Sequence, residues 1–219
     1  MNDSSSINAL TQQLSDGIAS LGLQAAAQHP IDAYCSYMLL LAEWNKAYNL
    51  TAIREPAQMV AYHVLDSLAV LPYLHGDACL DVGTGAGLPG LILALAEPDK
   101  HWVLLDGNHK KIRFINQAVM ELKLNNVEVI CCRAEDFKPD KYFSTIISRA
   151  IGNLHCLYQC AFHLLLPSGR LFAMKGPEVN AEIAELNKTN VKSRVHLLDI
   201  PGVSSQRSLV ELRVFPSGN

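Results

Sequence analysis

The stretch Asp81-Val82-Gly83-Thr84-Gly85-Ala86-Gly87-Leu88-Pro89-Gly90 decides the fold. A short apolar run, Ala78-Cys79-Leu80, precedes it, and a helical one, Leu91-Ile92-Leu93-Ala94-Leu95, follows. The pattern is strand, glycine turn, helix. Glycines at such a turn permit positive φ and let a ligand approach the backbone closely. A ligand with an adenosine end is therefore the first expectation.

Outward from this turn the chain alternates between two rhythms. Toward the C-terminus, strands are predicted at 79–82, 102–106, 127–131, 143–148 and 170–175, with helices at 109–124, 153–166 and 177–188 between or after them. The last two strands, 195–200 and 209–215, are close enough to pair as a hairpin. Alternating β and α predicts an α/β doubly wound, mostly parallel sheet with an antiparallel last strand and ligand at the carboxyl ends of its strands. Toward the N-terminus, residues 1–72 lack strand alternation and read as helical. A helix over 8–28 is broken at His29-Pro30. A second, over 31–47, places Tyr34, Met38, Leu41 and Trp44 on one stripe, and a third begins at Glu55-Pro56. The expected organisation is a helical extension over 1–72 packed on a Rossmann-like core over 73–219.

Composition narrows the class. The 219 residues are 49% hydrophobic and 18% charged, enough for a substantial core. A formal net charge of −3 argues against non-specific DNA coating but permits a local basic patch. Residues 1–14 carry no signal-peptide pattern and no run is long enough to span a membrane, so a cytoplasmic location is expected. The six cysteines form no C-x-x-C pair, and no histidine stands at zinc-ligand spacing. They read as small core hydrophobes, and no metal is expected.

Two cofactors compete for the turn. Residues 85–90 match G-x-G-x-x-G, which suggests NAD or FAD. The dinucleotide fingerprint, however, begins where the strand ends, at Gly83, and in that register Leu88 occupies its sixth position. Asp81 followed by Gly83, Gly85 and Gly87 instead looks like motif I of the S-adenosyl-L-methionine-dependent methyltransferases. Asp106, twenty-one residues beyond Gly85, closes a strand where a carboxylate can accept from ribose hydroxyls. Ala134-Glu135 follows the next strand, where methyltransferases of this fold flank adenine. After the fourth strand stands Ile147-Ser148-Arg149-Ala150, not an Asn-Pro-Pro-Tyr-like turn, and the chain has no Pro-Cys pair. These absences speak against exocyclic-amine and pyrimidine-C5 methylation. Arg149 suits an anionic or electron-rich partner, or else pairs with an acid such as Glu135.

The strings Asn49-Leu50-Thr51-Ala52-Ile53-Arg54, His63-Val64-Leu65-Asp66-Ser67, 81–90, 147–150 and Met174-Lys175-Gly176 together resemble the glucose-inhibited division protein B family. The resemblance runs from about residue 37 to 214. It implies a class I methyltransferase that uses S-adenosyl-L-methionine to methylate N7 of one guanine in the decoding-region loop of 16S rRNA. It implies cofactor contacts at Gly83, Leu88, Ala134, Glu135 and Arg149, to which the residue-level reading adds Asp81, Gly85 and Asp106. Leu88 stands where the family often has phenylalanine, and Tyr62 where it often has arginine.

Guanine N7 carries a lone pair and no proton, so no catalytic base is expected. Asn49, His63 and Lys175 are candidate acceptor-site residues. The expected partner is 16S rRNA, within the small ribosomal subunit or an assembly intermediate, met by a monomer. Two other readings remain at this point: an NAD(P)-dependent oxidoreductase, and a non-catalytic ribosome assembly factor with the same fold.

Overall fold

The computed structural model describes residues 3–23, 31–149, 151–186 and 191–214. Its centre is a seven-stranded sheet of order β3-β2-β1-β4-β5-β7-β6. The strands are β1 (Ala78–Val82), β2 (His101–Leu105), β3 (Val127–Ile130), β4 (Phe143–Ser148), β5 (Leu165–Lys175), β6 (Val191–Leu198) and β7 (Arg207–Val214). β1 to β5 pair in parallel, while β7 runs antiparallel to both β5 and β6. The strand order reverses between β1 and β4, so a crevice opens above their carboxyl ends.

Side chains alternate between two cores, as a sheet buried on both faces requires. Cys79, Trp102, Leu104, Ile147 and Phe172 face one core, and Leu80, Val103, Leu105, Ile146 and Leu171 face the other. The second core is closed by α6 (Leu154–Ala161) and α7 (Val179–Leu186). The first is closed by α4 (Gly90–Ala96), by α5 (His109–Glu121) and by N-terminal helices. These are α1 (Asp3–Ser20), α2 (Ile31–Tyr48) and the segment 56–68, called α3.

The N-terminal helices share the first core with the sheet and its crossover helices. Leu10, Leu14 and Ile18 of α1 share one cluster with Leu91 of α4 and Phe114 of α5. Phe114 packs edge-on against Trp44 (5.7 Å) and lies 6.3 Å from Tyr37, both on α2. Gly17 allows α1 to approach α3 closely, since a Cβ there would sit 2.3 Å from Leu65 Cδ1.

The element boundaries differ from expectation at several points. The first helix is Asp3–Ser20, not 8–28, and residues 24–28 lie outside the described residues. The helix expected over 153–166 stops at Ala161, and the chain makes a 3₁₀ turn at Phe162–Leu164 before β5 begins at Leu165. Pro167 and Gly169 lie near the start of β5, which masks it as a loop in the sequence. The last hairpin is longer than predicted and begins at Val191 and Arg207, while Phe215 and Lys188 lie outside the described residues. Most consequential, α3 is not a plain α-helix. It opens as Pro56–Met59, widens into a π-helical Val60–Leu65, and closes as Asp66–Leu68. Hydrophobic spacing cannot reveal that extra residue per turn, and such widenings are common where a helix meets a functional site.

Candidate active site

Above β1 the glycine turn is fixed by two carboxylates. Asp81 is fully buried, and its Oδ2 accepts from Thr84 Oγ1 (2.7 Å) and from the Gly90 amide (2.8 Å), the first residue of α4. Burial pushes its pKa up to about 6, against the hydrogen bonds from Thr84 and Gly90 and the charge of Arg149. Asp106 holds the other side. Its Oδ2 accepts from the Gly85 amide (3.0 Å) and its Oδ1 from the Asn108 amide (2.9 Å), with Lys111 Nζ at 3.5 Å. The amides of Gly83 and Thr84 donate to the Leu105 carbonyl at 2.8 and 3.1 Å. From the helical side, Tyr37 Oη donates to the Ala86 carbonyl at 2.8 Å.

The turn needs glycine for two separate reasons. Gly83 has φ of +69°, and a Cβ there would lie 2.9 Å from Ile151 Cγ1. Gly85 has φ of +65° and faces open space, the nearest atom to a Cβ being the Gly83 carbonyl at 3.9 Å. The cleft beside it measures about 220 Å³ and is lined in part by Gly83, Asp106, Ala134, Glu135 and Ile151. An adenosine with its ribose on Asp106 fits these donors and acceptors. A pyrophosphate does not. Dinucleotide folds place it on the first amides of the helix after β1, and here the Asp81 carboxylate already occupies the Gly90 amide. A second anion would meet a buried negative charge.

A second cleft of about 350 Å³ lies on the other side of the β4 carboxyl end. Arg149 lines it, whereas Ile151, two residues on, lines the first. The π-helical stretch supplies Tyr62 and His63, and Asp66 follows. His63 Nε2 stands 3.0 Å from Thr51 Oγ1. Thr51 is clamped by Asn45, which donates to the Thr51 carbonyl and accepts from its amide, both at 2.9 Å. Burial first, and then the nearby Arg149 charge, lower the pKa of His63 to about 4, so the imidazole is neutral at pH 7. Asp66 is buried between two guanidinium groups, with Arg149 Nη1 3.6 Å from one oxygen and Arg207 Nε 3.5 Å from the other. Burial raises its pKa, opposed by both arginines. Arg149 also donates to the Tyr62 carbonyl at 3.2 Å. His63 Nδ1 and Asp66 Oδ1 are buried without hydrogen-bond partners. On the far wall, Lys175 Nζ donates to the Gly152 carbonyl (2.6 Å) and pairs with Glu182 (2.8 Å), which also accepts from the Leu154 amide (2.8 Å).

The expected site residues therefore divide. Gly83, Asp106, Ala134 and Glu135 line the first cleft, and His63, Arg149 and Lys175 the second. Gly85 borders the first through its bond to Asp106. Asp81 has no exposed surface and braces the turn from within. Leu88 packs in the core beneath the turn and does not line either cleft. Asn49 stands apart from both clefts. It is exposed, ends α2 with φ of +49°, and does not line the acceptor cleft. Asparagine is favoured at that left-handed helix-ending position for backbone reasons alone. Arg149 pairs with Asp66, not Glu135. Sequence reasoning misses Thr51 and Asp66 as site residues, although Asp66 stands three residues beyond His63 on one helical segment, a spacing that puts two side chains on one face. Cys131 Sγ lies 3.2 Å from His109 Nδ1, and the six cysteines are free thiols.

Known proteins resemble this chain in sequence and in fold. The profile described as GidB, rRNA small subunit methyltransferase G, matches residues 31–210. Two relatives carrying the name Ribosomal RNA small subunit methyltransferase G are close over nearly their whole length. That of Laribacter hongkongensis is 44% identical over 93% of this chain and 98% of its own. That of Nitrosospira multiformis is 45% identical over 92% and 96%. Among solved structures, the glycopeptide N-methyltransferase MtfA complexed with S-adenosyl-L-methionine superposes with a TM-score of 0.58 at 10% identity, over 70% of this chain and 88% of that one. The structure of M. jannaschii TYW2 in complex with the same cofactor superposes at 0.51 and 16% identity, over 68% and 72%. Those two establish the class I methyltransferase fold. With nearly all of the chain matched by the profile and its relatives, this protein belongs to the GidB family, rRNA small subunit methyltransferase G.

Proposed function

We propose that the chain transfers the methyl group of S-adenosyl-L-methionine to N7 of one guanine in the decoding-region loop of 16S rRNA. The observation that carries the choice of cofactor is the Asp81–Gly90 bond, which fills the amide that a dinucleotide phosphate would need. When bound, S-adenosyl-L-methionine supplies a methyl group activated by a sulfonium. Asp106 accepts from the ribose hydroxyls, Ala134 and Glu135 bound the adenine, and Gly83 and Gly85 leave room against the backbone. Arg149 presents its charge in the second cleft, where it would favour an electron-rich purine or a cofactor carboxylate.

The acceptor side is built for positioning and not for proton transfer. His63 is neutral at pH 7 and hydrogen-bonded to Thr51, and Asp66 is enclosed by two arginines. A nucleophile without a proton needs no base from either. Holding N7 in line for transfer can lower a barrier by roughly 7–11 kcal/mol through proximity alone. The weakly acidic chain acts as a monomer on RNA shaped by the small subunit or an assembly intermediate, with Lys175 and Arg207 at the mouth of the cleft.

The test is mass spectrometry of 16S rRNA nucleosides from cells with and without the protein. One 7-methylguanosine should disappear, and an unchanged profile overturns the reading. Calorimetry should detect S-adenosylhomocysteine but not NADH, which separates it from an oxidoreductase. Gly83→Asp should abolish methylation while the chain stays folded. A phenotype that survives this substitution would favour a non-catalytic assembly factor.

A further inference from the structure

The strands that wall the acceptor cleft continue well beyond it. Leu198 and Arg207 line the cleft and face each other across β6 and β7. Away from the cleft, every second residue of β6 on this face is basic: His196, Arg194 and Lys192. All three share the face that carries the N-terminal helices, because Leu198 packs against that core while Val191 packs against the opposite one. At about 3.3–3.4 Å per residue, successive side chains of this row stand about 6.7 Å apart. That stride is comparable to the step between phosphates along an extended RNA strand.

The row runs beside one buried acid. Glu211 on β7 is only 2% exposed and lies directly across from Arg194. It accepts from Arg213 Nε at 2.7 Å, with His196 Nε2 at 3.3 Å and Arg170 Nε at 3.8 Å. The ring of Tyr73 packs on His196 at 4.6 Å. The acid is thus covered by the cations it holds, and the outer surface shows Lys192, Arg194 and Arg213, all exposed. Four of the chain's 18 Lys and Arg residues gather here around one buried acid, on a molecule whose net charge is −3. An edge strand needs a lysine or two to discourage pairing with another chain. That requirement does not call for a buried carboxylate pinning guanidinium groups, nor for a row that leads into the acceptor cleft.

Resting on the rRNA reading above, we propose that this face of β6 and β7 is a track for the RNA backbone, carrying the strand that leads away from the target guanine. It meets phosphates, so it adds affinity and register but no sequence choice.

The test compares wild type with Lys192→Gln/Arg194→Gln, two exposed positions outside both clefts, and with Lys138→Gln/Lys141→Gln as an equal change of charge elsewhere. Filter binding to 16S rRNA and to small subunits is measured over a salt series, alongside methyl transfer. The track predicts at least tenfold weaker binding and a raised KM for the first variant, with kcat, S-adenosylhomocysteine affinity and thermal stability unchanged. The slope of log affinity against log salt should become shallower by roughly 0.7–0.9 for each phosphate that is no longer neutralised. The control variant should match wild type. Binding and salt slope equal to wild type, or lowered equally by both variants, overturn the track. Because binding is read independently of transfer, an inactive wild type would count against the methyltransferase reading while the binding comparison still decides the track.

Discussion

The two clefts on either side of β4 are finished to different degrees. On the cofactor side each carboxylate holds backbone amides of the turn at good hydrogen-bond length, although Asp81 Oδ1 is buried without a partner. Asp81 holds Thr84 and Gly90 at 2.7 and 2.8 Å, and Asp106 holds Gly85 and Asn108 at 3.0 and 2.9 Å. On the acceptor side Asp66 lies 3.5 and 3.6 Å from its two arginines, beyond good hydrogen-bond length, and His63 Nδ1 has no partner. One half is preorganised by short bonds from its carboxylates to the backbone of the turn. The other holds buried polar atoms that an incoming base can satisfy. The difference teaches where substitutions should damage folding and where they should damage only function.

The largest contrast is expected from alanine at the two buried acids. Asp81→Ala strands a buried amide and hydroxyl, and should cost about 3 kcal/mol in urea unfolding, with loss of S-adenosylhomocysteine binding. Asp66→Ala should cost less, about 1 kcal/mol, because the two arginines it leaves are partly exposed and water can solvate them, yet reduce rRNA methylation at least 100-fold. Equal destabilisation by both would break the comparison.

Next in size is an opposition in pH response. His63 has its pKa lowered to about 4, so the unfolded chain takes up its proton first. Its contribution to stability is full above about pH 6.5 and is lost as pH falls toward 4, by about 3 kcal/mol. Asp81 has its pKa raised to about 6, so the folded chain binds its proton first. Its contribution is full below about pH 3.8 and is lost as pH rises through 6. Unfolding measured from pH 4 to 7 should therefore show His63→Gln gaining on wild type as pH falls, and Asp81→Asn losing to it. The same sign for both would show that the two halves do not differ in this way.

Smaller effects sharpen the contrast further. Asp106→Ala should weaken S-adenosylhomocysteine binding roughly 10–100-fold by calorimetry, the worth of a charge-assisted pair of hydrogen bonds. Thr51→Val should lower stability by about 1 kcal/mol and raise the KM for RNA without changing cofactor affinity.

The cofactor half was legible in the sequence because its logic is local. A strand, three glycines and an acid after each of two neighbouring strands fix positions within a few residues of themselves. Even so, burial was not legible: Asp81 and Leu88 support the turn from beneath, and only packing reveals that. In the second cleft single residues such as His63, Arg149 and Lys175 stood out, but their partners did not, because the lining comes from four distant segments. Thr51, Asp66, Arg149 and Arg207 meet only once α3 widens and β7 folds back beside β5. Asn49 illustrates the converse. It stands out in a recognisable string, but its backbone conformation accounts for it, while Asn45 four residues earlier is the side chain that holds Thr51.

The bond from Tyr37 to the Ala86 carbonyl has a practical consequence for anyone wishing to shrink this enzyme. A fragment trimmed to the seven strands and their crossover helices would keep every glycine and acid of the donor-binding bend, yet lack the strut that steadies the bend from outside. The front of the chain is thus as much a part of the catalyst's frame as the sheet itself, and minimal versions should be sought by shortening surface loops, not by amputation at the amino end.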